Sequence, residues 1–352
     1  MTPSTTPSAG PDHGRVTTVN RADRSTDRSN RTNHPDRSDR SDRSTDLALF
    51  LVAFVWGSSY LAAKSAAAAT SVLAVLLARY ALSAISGSAL LAARGRLRPT
   101  RAELRTGTIL GLTQASVLII ETYGVAHTSA ANAGLIISLT IILTPLLDRR
   151  GTGLPARYFA ASGVCVVAVG LLMSGSGSLH APSAGDLLML AAAVVRAGHV
   201  TLVGRLTSGG GGGGSTGDGT SGDIRPLSLT VIQTYVGTAL FALPAAAELP
   251  KLAHAGASAW AEMVYLAVFC SVFAFVAQTW AVRRTSASRA SLLLGTEPIW
   301  AVAAGVALGG EHLAAPAVVG AALMLAGTYW GQAIERAHRT RRLAALPEPT
   351  PA

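Results

Sequence analysis

Five charged residues fall more than three residues inside otherwise apolar stretches of this 352-residue chain: Lys64, Arg79, Glu121, Arg196 and Glu297. A charge at the centre of a bilayer helix costs about 2.5 to 3.5 kcal/mol on insertion scales, so each needs a partner or a purpose. Three bases face two acids. Glu297 is followed by Pro298, which donates no N–H and frees the carbonyl of Leu294 for another partner. His199 shares a helical face with Arg196, and Gln114 lies two turns before Glu121 on one face of its own helix. Such a set can do two kinds of chemistry. Glu121 or Glu297 can neutralise Arg196, and Glu297 in low dielectric can carry a proton through a cycle, with His199 as the other candidate carrier. An ion pair that only locks two helices gives the same pattern. Lys64 and Arg79 also lie within reach of their span ends, where long side chains run their charge to the interface. Among the aromatic residues, Trp56, Tyr60, Tyr123, Trp280 and Trp300 are placed to line a pathway. Trp260, Tyr329 and Trp330 fit the interfacial belt.

The elements that must position these residues are apolar helices. Hydrophobic residues make up 49% of the chain and charged ones only 14%, far below the quarter that is usual in a soluble domain. Ten apolar runs follow one another, at about 47–68, 72–92, 107–126, 130–147, 158–174, 187–206, 227–247, 260–282, 287–308 and 314–333. Each approaches the 17 to 25 or so residues that cross roughly 30 Å of hydrocarbon. The net charge of +10 sits in short gaps between the runs, which argues for membrane orientation and against nucleic-acid binding. With the N-terminus inside, the inner loops hold Arg94, Arg96, Arg98, Arg101 and Arg105, then Arg149, Arg150 and Arg157, then Arg205 and Arg225, then Arg283, Arg284 and Arg289. Lys251 stands alone outside. Both termini are therefore expected in the cytoplasm, in an inner or plasma membrane. Cys165 and Cys270 lie within apolar runs and form no disulfide framework.

Residues 1–46 repeat Arg, Ser, Asp and Thr with almost nothing to bury, and are expected to be disordered. A glycine-rich coil at 207–224 and a basic, proline-bearing tail at 336–352 complete the punctuation. The membrane part repeats itself: HTSAANAGLIISL from His127 aligns without gaps with RTSASRASLLLGT from Arg284. The spacing divides the chain into two five-helix repeats, 47–174 and 175–335. An odd number of helices in each gives the halves opposite orientation, the usual build of a secondary transporter with its site at the midplane.

WGSSYLAAK (Trp56 to Lys64), ARYALSA around Arg79, and TSASRASLLLGTEPIWAVAAGVALGGE (Thr285 to Glu311) resemble the EamA family of the drug/metabolite transporter superfamily. The resemblance covers about residues 47–335. It implies a ten-helix inner-membrane carrier of two duplicated units, usually an exporter of amino acids, metabolites or drugs. This chain departs from the family pattern in two places. Thr140-Ile141 stand where the second repeat has Glu297-Pro298, with Pro145 one turn later and a short fourth span. Arg196 stands where the family usually has an aromatic residue.

No phosphate-cradling GxxxxGK[ST], HExxH or Asp-rich metal loop is present, so neither a cofactor nor an enzyme activity is expected. The chain is expected to be an all-α integral membrane protein that moves a small molecule by alternating access, with proton coupling as a candidate drive. Its pathway is assigned to Glu297, Pro298, Arg196, His199, Glu121, Gln114, Trp56, Tyr60 and Trp300. The expected surroundings are the lipid bilayer, as a monomer or homodimer, without nucleic acid. The alternatives are a polytopic receptor or scaffold, and a membrane-embedded enzyme.

Overall fold

A computed structural model describes residues 36–95, 98–147, 155–173, 183–207, 225–282 and 294–344. Every regular element among them is helical. In order, the first repeat gives α1 (Asp36–Ala69), α2 (Val72–Ala93), α3 (Arg101–Ala126), α4 (Ala130–Ile137), α5 (Leu139–Leu147) and α6 (Ala156–Met173). Then follow α7 (Ala184–Thr207), α8 (Pro226–Ala242), α9 (Leu249–Ala253), α10 (Ala257–Ala267) and α11 (Ala274–Val282). The chain closes with α12 (Glu297–Ala307) and α13 (Ala315–Ala344). Six of the helices are long and apolar enough to cross a membrane. A seventh is added if the pair Pro226–Ala242 and Ala246–Ala253, bent by 79°, counts as one span. Three shorter apolar helices, Ala130–Thr144, Ala156–Leu171 and Glu297–Ala307, occupy the remaining runs.

The described structure differs from the sequence expectation at both ends. α1 runs back to Asp36, into the stretch read as disordered, and α13 runs on to Ala344 through the basic tail. Residues 1–35, most of the glycine-rich coil, the fourth span's exit at 148–154, the loop at 283–293 and the end of the tail lie outside the described residues.

The apolar runs containing the repeated motif are not continuous helices. The first breaks at Ser138, seven residues before Pro145, where the sequence had placed the interruption. The Ser138 hydroxyl donates to the Leu135 carbonyl at 2.6 Å, and the backbone N–H of Ile141 reaches back only to Ser138, at 3.0 Å. A serine that bonds its own preceding turn competes with the helical ladder. In the second run the turn Gly295–Thr296 precedes α12, so Glu297 and Pro298 open a helix instead of sitting at the centre of one. Proline is favoured there, because the first N–H groups of a helix have no intrahelical partner to lose. Ser138 aligns with Gly295, so the two breaks fall at matched positions of the repeat.

Hydrophobic packing joins the elements into pairs. α13 lies along α6, α3 contacts both α7 and α8, α2 packs on α8, and α4 packs on α12. A π turn, Val268–Phe273, interrupts the helix between α10 and α11. The N-terminus of α3 carries a reciprocal cap: the Thr100 hydroxyl accepts from the Glu103 N–H, and Glu103 accepts from the Thr100 N–H. The same carboxylate, 1% exposed, receives the Arg225 side chain at 2.9 Å from both Nε and Nη2, and its backbone N–H at 3.0 Å. These bonds push the Arg225 pKa up from its ordinary value, and they tie α3 to the entry of α8.

Candidate functional site

Tyr60 is the hinge of a buried polar cluster. It lies on α1 at 2% exposure and donates its hydroxyl to Glu297 Oε1 at 2.5 Å. Arg196, from α7, donates Nη1 to the Tyr60 oxygen at 3.3 Å and to Glu297 Oε1 at 3.4 Å, and Nη2 to Glu297 Oε2 at 3.5 Å. On its other side Arg196 Nη1 stands 3.9 Å from Glu121 Oε2 of α3. The sequence left open which carboxylate would face Arg196, and the guanidinium is set between both. Its carbon also lies 5.2 Å from the centre of the Trp56 ring, within cation–π range. Trp56 is fixed in turn by its indole N–H, which donates to the Cys270 carbonyl at 3.0 Å.

Two glycines allow this geometry. A Cβ at Gly57 would stand 2.5 Å from Trp300 Cβ and 2.7 Å from the Glu297 carbonyl oxygen. Gly134 similarly makes room for Ala301 and the Tyr60 ring. α12 therefore presses against α1 and α4 backbone to backbone, and Glu297, in its first turn, is delivered to Tyr60. A carboxylate at a helix N-terminus also gains from the helix dipole.

The other residues expected in the pathway fall around the cluster. His199 is buried one turn from Arg196, and its Nδ1 pairs with Thr113 Oγ1 of α3 at 2.7 Å. Pro298 is buried behind Glu297 in the same helical turn. Trp300 points toward the outer side of α1, edge-on to Phe50 and Phe54 at centroid distances of 5.2 and 5.3 Å. Its buried indole N–H has no partner among the described residues. Gln114 is carried away from Arg196 to a separate cavity lined with Tyr80, Gln233 and Ser271.

Three contacts were not read from the sequence. Lys64 Nζ reaches Glu311 Oε1 at 3.2 Å, and the Glu311 carboxylate also accepts the backbone N–H groups of Ala130 and Ala131 at 2.7 and 3.0 Å, capping α4. Thr128 donates to Asp186 Oδ1 at 2.5 Å. Arg79, instead of reaching the interface, is buried and donates Nε to Ser271 Oγ at 3.0 Å. Lys64 and Glu311 were both visible as charges, but the backbone N–H groups that Glu311 also accepts carry no sequence signal.

Ionisable side chains sunk among apolar helices are the usual mark of a substrate or ion pathway. Residues 43–176 and 183–330 each match the EamA-like transporter family, and the chain belongs to that family. It is 26% identical over 278 residues to the uncharacterized inner membrane transporter YedA of Escherichia coli K12, covering 76% of this chain and 83% of the relative. The same similarity holds for YedA of the O6:H1 and O157:H7 strains. A protein of known crystal structure shares the fold with a TM-score of 0.56 at 18% identity, over 88% of this chain and 99% of that one. The protein is thus a multi-pass membrane transporter, not an enzyme. Two family matches in one chain agree with the internal repetition read at His127 and Arg284.

Proposed function

We propose that this protein is a secondary active carrier of the inner membrane that exports a small metabolite, amino acid or drug by alternating access. In this reading the chain crosses the membrane ten times, as two inverted five-helix halves over 47–174 and 175–335, with both termini cytoplasmic. The six long helices, the bent pair and the three short apolar helices supply ten segments, and the short ones hold the paired breaks at Ser138 and Gly295. Broken helices at corresponding points of two repeats are the usual frame of a midplane site.

The observation that carries the reading is the cluster itself. Arg196 and Glu297 come from the second repeat, Tyr60 and Glu121 from the first, so any movement of one half against the other must break or remake these contacts. Glu297 is the proposed proton carrier, because its hydrogen bond from Tyr60 and its ion pair with Arg196 both change when it is neutralised. Counterflow in proteoliposomes tests the function. A panel of amino acids and cationic drugs is offered to the reconstituted full chain with and without an imposed pH gradient. Saturable exchange of at least one compound, accelerated by the gradient, is expected. Exchange of none by a folded preparation refutes the carrier reading.

A further inference from the structure

α8 has 17 residues and is about 26 Å long at the helical rise, so it nearly crosses the roughly 30 Å hydrocarbon layer by itself. The segment that follows, Ala246–Ala253, is turned from it by 79°. A helix set nearly square to a membrane-crossing one lies along the membrane surface. α10 then turns back from Ala257, and near its start Trp260 is 37% exposed, as an interfacial tryptophan is. Residues 243–256 therefore occupy the level at which lipid gives way to water.

The side chains of this segment divide three ways. Ala245 and Leu252 are buried and anchor it to the protein, Leu252 within the main apolar core. Glu248 pairs with Lys251 Nζ at 2.7 Å and takes a hydrogen bond from the hydroxyl of Ser71, the N-cap of α2. Leu243 at the elbow, 84% exposed, and Leu249, 51% exposed, are left uncovered by the described residues. Across α9 and its cap, helical spacing sets Leu249 and Ala253 on one flank, and Lys251 and His254 on another. Open leucines beside a lysine suit neither water alone nor an acyl interior alone. A helix lying in the interface satisfies both.

We propose that Ala246–Ala253 is an interfacial foot bound to phospholipid: it lies in the leaflet boundary at which α8 ends, with Leu243 and Leu249 among the upper acyl chains and Lys251 and His254 among the headgroups. The lipid contact is continuous with that of α8 itself, and the polar flank faces the charged layer. The bent pair is then one complete span followed by a surface helix. The Glu248 bonds to Lys251 and Ser71 tie this foot to the entry of α2, so the second repeat grips the first at the membrane surface. The same placement holds on either side of the membrane and for any transported solute.

Quenching of a small thiol-linked fluorophore in the full chain, held in phosphatidylcholine nanodiscs, tests this without any transport assay. Cys165 and Cys270 are fully buried, so the label goes to Leu243→Cys, Leu249→Cys or Lys251→Cys, each at an exposed position. Phosphatidylcholine carrying a nitroxide just below its headgroup is compared with aqueous iodide. The Leu243→Cys and Leu249→Cys labels are expected to be quenched by the lipid nitroxide at least about twofold more than the Lys251→Cys label, and by iodide at least about twofold less. Iodide quenching at a leucine position equal to that at Lys251→Cys places the segment in water. Protection there from both quenchers means that a second copy or another protein covers it. Either result, at either leucine position, overturns the proposal, so one folded leucine variant suffices.

Discussion

Replacing Glu297 with glutamine leaves Arg196 buried with only the more distant Glu121 opposite it, and takes from Tyr60 its charged acceptor. Removing one member of a buried pair costs about 3 to 5 kcal/mol, largely because the other charge stays behind. Glu297→Gln is therefore expected to melt well below the parent protein and to lose most counterflow. Glu297→Gln combined with Arg196→Gln is expected to regain part of the lost stability. Equal losses in the single and double variants would show that the two side chains do not act as a pair. At this scale much of the site was legible: an arginine and two glutamates in apolar runs declare themselves by their cost, and so their meeting was foreseeable. The Tyr60 bond to Glu297 was less so, because a tyrosine in an apolar helix serves equally as packing. Tyr80, Ser271 and the buried state of Arg79 were illegible, since they depend on a π turn that has no compositional mark.

Helix approach, more than side-chain chemistry, sets the distance from Tyr60 to Glu297. α12 lies against α1 because Gly57 has no side chain, and the close atoms there are largely backbone, which cannot move aside as a flexible side chain would. Gly57→Val is expected to push α12 outward, to lower the melting temperature and to reduce transport by tenfold or more. Gly163→Ala in α6, where an added Cβ meets nothing within 4 Å, serves as the comparison and is expected to keep both near the parent values. A Gly57→Val protein with parental melting and transport would mean that this contact does not position Glu297. That the chain is all-helical, with several apolar helices long enough to span a membrane, followed from run length. Their breaks did not, because the prolines drew the sequence reading to Pro145 and to a kink within the run carrying Pro298. In the structure Ser138 and Gly295–Thr296 make the turns, and Pro298 starts a helix that it would have disrupted one turn further in.

For the molecule as a whole, the charge distribution gives a sidedness that can be measured directly. A reporter inserted after Arg98 is expected to read as cytoplasmic, and one inserted between His127 and Asn132 as external. The opposite readings would invert the proposed orientation. Most ion pairs between described residues join one repeat to the other: Glu103 to Arg225, Lys64 to Glu311 and Glu121 to Arg196. The contact at Glu311 has a kinetic consequence. One carboxylate accepts from Lys64, Ala130 and Ala131 together, and releasing it strands two backbone donors and a partly buried charge at the same moment. Partial release gains nothing, because each remaining bond is weaker without the others. That seam should part in a single thresholded event, with long closed dwells and few intermediate openings, and not by gradual loosening.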